Sequence, residues 1–333
     1  VIYSKQVQLA FRKASVCEAI TNSDYFGEIA NMGDSVKIIK EPEITVQAYS
    51  RGTTITPQDL DDEDFSLTID KANYFAFKVD DIEEAHSHVN FQSLASDRAA
   101  YRLGDQFDQD VLGYLTGFKQ SATHGSPDTV NTTTNGSVAV STAGTDELLS
   151  SMKIDAAAFG GSAGASLALQ PRTGGATDST PAAGDTFPLT VIARMSRLLD
   201  QQNVDTQGRW LVVDPVFMEL LKDEDSRLFN ADFGGSGLQN GQVGTNIHGF
   251  RVYTSNNLPT VGTGPSFTGT NSTTNFGMIV AGHDSAVATA EQINKTETYR
   301  DPDSFSDIVR GMHLYGRKIL RPEALVNAKY HLA

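Results

Sequence analysis

From Phe65 to Val79 the chain alternates with period two, placing Phe65, Leu67, Ile69, Phe75, Phe77 and Val79 on one face of a single strand. At about 3.3 Å per residue such a strand reaches roughly 50 Å, further than a compact core of this chain length covers. A second alternating run precedes it, Ser35 to Tyr49, with Val36, Ile38, Ile44, Val46 and Ala48. Between the two, Ser50 to Asp64 is polar and holds Gly52, Pro57 and the acids Asp59, Asp61, Asp62, Glu63 and Asp64. The three segments predict a long antiparallel hairpin with a charged tip. An isolated two-stranded ribbon is only marginally stable in water, so either the rest of the monomer or a neighbouring subunit must cover it.

A helical pattern starts where the ribbon ends. Asp80 or Asp81 is placed to cap it, with Glu83 or Glu84 three residues on in the capping-box position. Ala95, Ala99, Leu103, Phe107, Val111 and Leu115 then recur every four residues, led in by Ile82, Ala85 and Val89, and no proline interrupts the chain between Pro57 and Pro127. A continuous helix over 81–118 is about 57 Å long at 1.5 Å per residue, with Gly104 and Gly113 as its points of weakness. A helix so far above the usual length of about 11 residues, joined to an equally long ribbon, predicts an extended subunit rather than a globular enzyme.

The chain has 333 residues with 26 Lys+Arg against 41 Asp+Glu, a formal charge of −15. Residues 59–110 hold four basic and fourteen acidic side chains, which is −10 of that total, whereas 295–333 hold seven and five, or +2. Binding to nucleic-acid phosphates needs a positive face that displaces counterions, and this balance argues against a general DNA- or RNA-binding role. The acids of 59–110 read either as a solvated face or as half of a charge-matched contact with another copy of the chain. With 39 % hydrophobic and 20 % charged residues the composition is that of a globular protein with two or three cores, which excludes disorder of the whole. One cysteine, Cys17, excludes an intramolecular disulfide and a four-thiolate metal cage, so stability comes from packing or assembly. No apolar run approaches the roughly 18 residues of a membrane span, and the first residues lack a signal-peptide profile. A soluble protein made in a cytoplasm is expected, and Val1 fits either removal of an initiator Met or trimming of a longer precursor.

Residues 119–186 are rich in Gly, Ser, Thr and Ala, with a short helix expected over 147–158 and loops elsewhere. Beyond them Pro188 starts a helix with Leu189, Ile192, Met195 and Leu199 on one face, turning at Asn203 to Gly208. Trp210 to Val213 reads as a buried strand, and Asp214 with Pro215 as the N-cap and first-turn pair of a helix carrying Phe217, Leu220 and Leu221. A strand over 247–253 ends at the turn Ser255 to Pro259, and 276–281, 291–299 and 305–320 read as extended. The second half is therefore mixed α and β.

None of the chemistry-bearing residue types forms a working pattern. His86 and His88 are two apart in a helical stretch and point about 200° from one another, so they do not chelate one metal. Gly282, His283, Asp284 and Ser285 contain triad residue types, but consecutive residues do not make a triad, and no G-x-S-x-G elbow is present. Gly234, Gly235 and Gly237 lack the Gly-Lys-Ser/Thr of a phosphate loop and any dinucleotide fingerprint after a strand. Cys17 has only Arg12 and Lys13 nearby in sequence and reads as a packed small side chain. No catalytic, cofactor-binding or metal residue is assigned, and no cofactor is expected.

Six phrases, taken in order, resemble one family. They are Gly33-Asp34-Ser35-Val36 with Leu67-Thr68-Ile69-Asp70-Lys71, then Gly208-Arg209-Trp210-Leu211-Val212-Val213-Asp214-Pro215, then Gly249-Phe250-Arg251-Val252-Tyr253-Thr254-Ser255-Asn256-Asn257-Leu258-Pro259, then Val309-Arg310-Gly311-Met312-His313-Leu314-Tyr315-Gly316, and finally Arg321-Pro322-Glu323-Ala324-Leu325. Together with the order of parts, they resemble the major capsid proteins of tailed bacteriophages, of the Hong Kong 97-type fold, over nearly the whole chain except 119–186. The resemblance implies an α+β Hong Kong 97-like capsid fold. Its expected parts are an N-terminal arm over 1–34, an extended hairpin loop over 35–79 and a peripheral-domain spine helix over 80–118. An axial domain follows over 119–282, with a flexible insertion at 119–186, then peripheral-domain return strands over 283–320 and an axial C-terminal strand over 321–333.

The same resemblance implies a non-enzymatic virion protein that forms homo-hexamers and homo-pentamers in an icosahedral shell around double-stranded DNA. Portal and scaffolding proteins, and a decoration protein, are the implied partners, with no membrane, no sequence-specific DNA binding and assembly in the host cytoplasm. A cellular nanocompartment shell of the same fold, enclosing an enzyme cargo, is the alternative. Between Ser50 and Asp64 there is no lysine, the nearest being Lys40 and Lys71, so a covalent cross-link from the loop tip is not expected. The inter-subunit contact is expected between the hairpin tip, with Arg51, Asp61, Asp62, Glu63 and Asp64, and the basic residues Arg310, Arg317 and Lys318.

Overall fold

The alternation over 65–79 folds as one continuous strand whose two ends have different partners. The computed structural model describes residues 15–23, 35–39, 44, 46–52, 54, 57–58, 64–80, 91–116, 148–170, 185–222, 246–261 and 276–332. In chain order the elements are α1 (Cys17–Ile20), β1 (Ser35–Ile39), β2 (Asp64–Asp80) and α2 (Phe91–Thr116). Next come β3 (Lys153–Ile154), β4 (Leu167–Leu169), β5 (Asp185–Thr186), α3 (Pro188–Gln201), β6 (Arg209–Val213) and α4 (Pro215–Leu221). The chain ends with β7 (Asn246–Ile247), β8 (Phe250–Thr254), β9 (Thr260–Val261), β10 (Phe276–His283), β11 (Val287–Arg300), β12 (Ser306–Ile319) and β13 (Leu325–Leu332).

Two sheets share these strands. In the four-stranded antiparallel sheet, ordered β1-β2-β12-β11, β1 covers the start of β2 from Ser35 opposite Thr68 to Ile39 opposite Asp64. From Ile69, opposite Gly316, to Asp80, opposite Ser306, β2 pairs with β12. The return limb of the hairpin is thus held by the chain's own C-terminal strands. The first limb is shorter than its pattern predicts: residues 46–50 lie outside any strand and are exposed. Pro42, which has no N–H to give a ladder, stands between the two pieces.

The nine-stranded sheet runs β5-β4-β13-β10-β6-β8-β7, with β3 on β13 and β9 on β10. Strand β6 is buried throughout and alternates between the sheet's two faces. Leu211 and Val213 join α3, α4, Ile279 and Tyr330 in one core, while Trp210 and Val212 join α1, α2, Val280 and Leu325 in the other. Pro188 and Pro215 occupy the first turns of α3 and α4, and the Asp214 carboxylate accepts the Phe217 N–H at 3.0 Å as an N-cap, as the sequence predicts. Of the four-spaced apolar stripe on α2, Phe107, Val111 and Leu115 reach full burial, whereas Ala95, Ala99 and Leu103 are half-buried.

Two sequence expectations are corrected. The helix over 147–158 is instead a pair of 3-10 turns, Ser150–Met152 and Ala156–Phe159, separated by β3. There the Asp155 carboxylate takes the N–H groups of Ala157 and Gly164, and Gly160 stops the second turn at φ 85°. The strand over 247–253 is a hairpin, because His248 and Gly249 adopt φ 49° and 84°, the left-handed pair of a tight two-residue turn. The helix cap expected at Asp81, with Glu83, Glu84, His86 and His88, lies outside the described residues, as do Gly234, Gly235 and Gly237.

Candidate inter-subunit surface

The segment before α1 is tied to the body by one buried carboxylate. Asp108 Oδ1 accepts Ser15 Oγ at 3.0 Å and the backbone N–H groups of Val16 and Cys17 at 3.0 and 2.9 Å, while Oδ2 accepts Asn257 Nδ2 at 2.9 Å. Gln109 Nε2 bridges Asp105 and Asn257, both at 3.4 Å. A carboxylate donating nothing and accepting four hydrogen bonds holds the arm, α2 and the 255–259 turn together. Beyond the clasp, Asn22 pairs with Ala288 at the start of β11. Burial and the adjacent Asp108 anion push the Cys17 thiol well above its ordinary pKa, which keeps it protonated. The sequence signal was available: Asp108 sits on the buried stripe with Val111, Leu112 and Leu115, where a lone acid demands local partners.

The four-stranded sheet has one face on α2 and one face outward. On the α2 face the Phe107, His313 and Tyr315 rings are packed together, Tyr315 Oη donates to Asp110 at 3.1 Å, and Arg317 pairs with Asp110 and lies over the Tyr114 ring. The outward face carries large apolar groups: Tyr74 is 80 % exposed and faces Met312 across the ladder, with Tyr299 alongside on β11. Charged pairs flank them, Arg310 with Glu297 at 2.9 Å and Lys78 with Asp301 at 2.8 Å. Lys78 and Ser304 hydrogen bonds hold the Asp301 carboxyl below the usual carboxylate range. On the first limb of the hairpin Ile44, Val46 and Tyr49 are 69, 97 and 66 % exposed.

The residues expected to meet across subunits fall as follows. Arg51 is exposed in a turn of the hairpin. Asp61, Asp62 and Glu63 lie outside the described residues, and Asp64 opens β2 opposite Ile39. Arg310 projects from the outward face, where its guanidinium also lies over the Tyr299 ring at 5.0 Å. Lys318, an even number of residues along β12, shares that face by strand alternation. Arg317 does not: it points to α2 and is engaged by Asp110 and the Asp110 carbonyl, at 2.8 Å for the latter.

Residues 150–328 match the family model described as phage capsid protein. The chain belongs to the phage capsid protein family. Among solved structures, one from Mycobacterium phage Che8 is 25 % identical with a TM-score of 0.68, covering 98 % of this chain and 95 % of that one. The capsid of the cyanophage P-SCSP1u is 18 % identical at a TM-score of 0.66, covering 100 and 93 %. The capsid of an empty GTA particle is 11 % identical at 0.61, covering 99 and 95 %. No curated protein matches. The resemblance to tailed-phage major capsid proteins read from the sequence is upheld, and the mixed helix and sheet architecture is that of phage capsid structures.

In this capsid protein the would-be triad residues have structural work. Asp284 takes both its bonds from Arg251 Nη2, at 2.6 and 2.7 Å, rather than orienting His283. His283 Nδ1 sits 2.8 Å from Ser285 Oγ and accepts the Ser285 N–H at 3.2 Å, closing the β10–β11 turn. Among the described residues no carboxylate is hydrogen-bonded to His283, so these three consecutive residues are not arranged as a Ser-His-Asp triad. Among the described residues no group of three or more His, Cys, Asp and Glu is placed to hold a metal ion, and no helix is long and apolar enough to cross a membrane. The role of the chain is structural, in the shell of a virion.

Proposed function

We propose that this capsid protein assembles as hexamers and pentamers into an icosahedral shell enclosing a double-stranded DNA phage genome, in the Hong Kong 97-type arrangement. In this reading residues 1–34 are the arm, 35–79 the extended loop, 80–118 the spine, 119–282 with 321–333 the axial domain, and 283–320 the peripheral return strands. The observation that carries it is a pair of exposed apolar surfaces in one chain. These are the limb bearing Ile44, Val46 and Tyr49, and the outward sheet face bearing Tyr74, Tyr299 and Met312. Soluble monomers rarely expose contiguous apolar patches, and laying the limb of one subunit across the outward face of the next covers both. The tip acids Asp61, Asp62, Glu63 and Asp64 then approach Arg310 and Lys318. Exposed pairs contribute about 0 to 1 kcal/mol each, so they set register more than strength.

Portal and scaffolding proteins, a decoration protein and DNA held without sequence-specific contacts complete the assembly, which forms in the host cytoplasm. Val46→Asp and Tyr74→Asp test the reading, since both side chains are already in water in the single subunit and the fold tolerates the change. The expected result is folded subunits that no longer sediment as capsomers or shells. Particles of wild-type yield and size from both variants would refute it. A second reading is a nanocompartment shell of the same fold around an enzyme cargo, kept because a capsid of a GTA particle, and not only capsids of named phages, is among the structures that share the fold. Mass spectrometry of purified particles distinguishes them: DNA with a portal protein supports the first, a packaged enzyme the second.

A further inference from the structure

Strand β11 is the last strand of the four-stranded sheet, and its ladder with β12 determines which of its backbone groups face the edge. At its start that edge is taken. Asn22 N–H donates to the Val287 carbonyl at 2.8 Å and the Asn22 carbonyl accepts Thr289 N–H at 3.1 Å, so Val287 and Thr289 face away from β12. In an antiparallel ladder such residues alternate with those that exchange both bonds with the neighbour, here Ala288 with Lys318 and Ala290 with Gly316. The bulge between Glu291 and Ile293 shifts the alternation on β11 by one residue. Beyond it Lys295, Glu297 and Tyr299, opposite Met312, Arg310 and Ile308, give their backbone groups to β12. Asn294, Thr296 and Thr298 turn theirs to the edge, where among the described residues no strand lies alongside them.

A row of edge N–H and C=O groups is a template for another strand unless something blunts it. From Ile293 to Arg300 there is no proline, the bulge lies earlier, and Ile, Thr and Tyr favour extended backbone. Thr296, Thr298 and Tyr299 are exposed, so this end of β11 is open on both faces as well as at its edge. The charges that a partner strand has to match are Lys295 and Glu297. A second β11, laid antiparallel about a two-fold axis, matches them in one register. Centring the pair on Glu297 or on Lys295 sets like charges directly opposite, and centring it on Thr298 sets Glu297 opposite Tyr299. Centring it on Thr296 sets Lys295 of each copy opposite Glu297 of the other, Ile293 opposite Tyr299 and Asn294 opposite Thr298. Edge-facing residues then meet edge-facing residues, as a ladder requires. The paired stretch, 292–300 on both sides, ends short of the residues that Asn22 covers.

We infer that β11 of one copy pairs antiparallel with β11 of a second copy, centred on Thr296, so that two four-stranded sheets become one continuous sheet across a two-fold axis. Such a contact is isologous, whereas subunits around a ring meet head to tail, so it joins copies that belong to different rings. The inference rests on the shell-forming reading and deepens it by naming the surface through which rings are joined.

A disulfide reads the register. Residues opposite one another in a bonded pair have Cα atoms about 5.5 Å apart, inside the range a disulfide spans, and Thr296 is the edge residue that meets its own copy. Cys17 is buried with its thiol held protonated, so an introduced thiol is the one that reacts. In particles assembled from Thr296→Cys, oxidised glutathione is expected to convert most of the chain to a disulfide-linked dimer, itself being reduced to two glutathione thiols. Thr298→Cys, whose thiols the register keeps apart, is expected to stay monomeric, and Asn294→Cys mixed with Thr298→Cys to link one to the other. Thr298→Pro removes an N–H that faces away from β12, so thermal unfolding of the unassembled subunit is expected to match wild type. Added to Thr296→Cys, it deletes two symmetry-related hydrogen bonds per contact and is expected to slow cross-linking about tenfold. Thr296→Cys particles that run as monomers on a non-reducing denaturing gel, Thr298→Cys cross-linking as fast, or cross-linking indifferent to Thr298→Pro overturn the pairing. Wild-type protein that forms no ring or shell with scaffold present sinks the shell reading itself, whereas shells without the cross-link sink only this contact.

Discussion

Replacing Asp108 by Ala removes one side chain and strands three buried donors. Val16 N–H, Cys17 N–H and Asn257 Nδ2 each lose their acceptor, whereas Ser15 Oγ lies near enough to solvent to turn outward. A buried donor left without a partner costs about 1 to 3 kcal/mol, so three together cost about 3 to 9 kcal/mol. Water entering the vacated site and local release of the arm offset the upper part of that range, leaving about 3 to 4 kcal/mol, which is large for one substitution. The loss is local, because Asp108 joins residues 15–17 to α2 and the 255–259 turn, and the nine-stranded sheet does not depend on it. Hydrogen exchange read residue by residue is therefore the assay. At 1.4 kcal/mol per tenfold, protection at the Thr21 and Asn22 amides, which bond Cys17 and Val287 carbonyls, is expected to fall about 100-fold or more. Val212 and Val280, central in the sheet, should be unchanged. Asp108→Asn keeps Oδ1 for three donors but turns an amide nitrogen toward Asn257 Nδ2, so an intermediate loss is expected. A fall below fivefold at Thr21 and Asn22 in Asp108→Ala, or an equal fall at Val280, would refute the clasp.

Cys17 in the folded protein is expected to resist a thiol reagent at pH 8, because burial and the Asp108 anion raise its pKa, and Asp108→Ala should make it react; reaction of wild type at the rate of a free thiol would contradict this. Gly316 stands at the irregular step of the β2–β12 ladder, where an added Cβ would run into the Thr68 carbonyl, a backbone atom that cannot rotate away. Gly316→Val is therefore expected to cost about 3 kcal/mol or more and to release β2, measured as lost protection at Phe75 and Phe77 with that at Val212 retained. His331 is fully buried against Ser166 Oγ, and burial lowers its pKa below the ordinary 6.5. The fold then holds it neutral while the unfolded chain takes up a proton, so its stabilising contribution is present above pH 6.5 and is lost as pH falls through the lower folded value. Denaturant midpoints at pH 7 and pH 5 should differ more in wild type than in His331→Asn; equal differences would exclude His331 as the cause.

What was legible in the sequence follows the range of the interaction concerned. Period-two alternation reports which face of a strand is buried, and it located β2, whereas the short apolar run Trp210 to Val213 located β6, and 276–281, 291–299 and 305–320 read as extended where β10, β11 and β12 stand. Pro188 and the Asp214-Pro215 pair state where helices begin through groups within one turn, and both were read correctly. The partner of a strand is a long-range fact, and nothing within residues 65–79 says that β12, more than two hundred residues on, replaces the hairpin's own first limb as its neighbour. The hairpin at His248-Gly249 was missed because a histidine rarely adopts a positive φ, so the sequence looked like an uninterrupted strand. Among the expected contact residues, the tip acids and the three cations were chosen by charge alone. Charge does not reveal that β12 alternation turns Arg310 outward and Arg317 to Asp110.

The charge excess of residues 59–110 takes on a different meaning once the side chains are placed. Of its fourteen acids, Asp105 and Asp108 are buried and Asp110 is half-buried, and each is matched inside the same subunit: Asp105 by Arg102 and Gln109, Asp108 by backbone and amide donors, Asp110 by Arg317 and Tyr315. These three internal acids face the arm, the 255–259 turn and β12, the places where separate parts of the chain meet α2. Of the cluster at 59–64, residues 59–63 lie outside the described residues and Asp64 opens β2 opposite Ile39. A chain that sums to −15 therefore divides its acids between two tasks. One set fastens a subunit to itself through buried hydrogen bonds, which salt screens little. The other, the tip acids of the proposed contact between subunits, is expected to act through charge that salt screens over about 10 Å at 0.1 M. Raising salt should consequently weaken contacts between subunits well before it loosens the arm from α2. Assembly yield and Thr21 exchange, measured across the same salt series, should separate, and their falling together would show that the two sets of acids are not distinct.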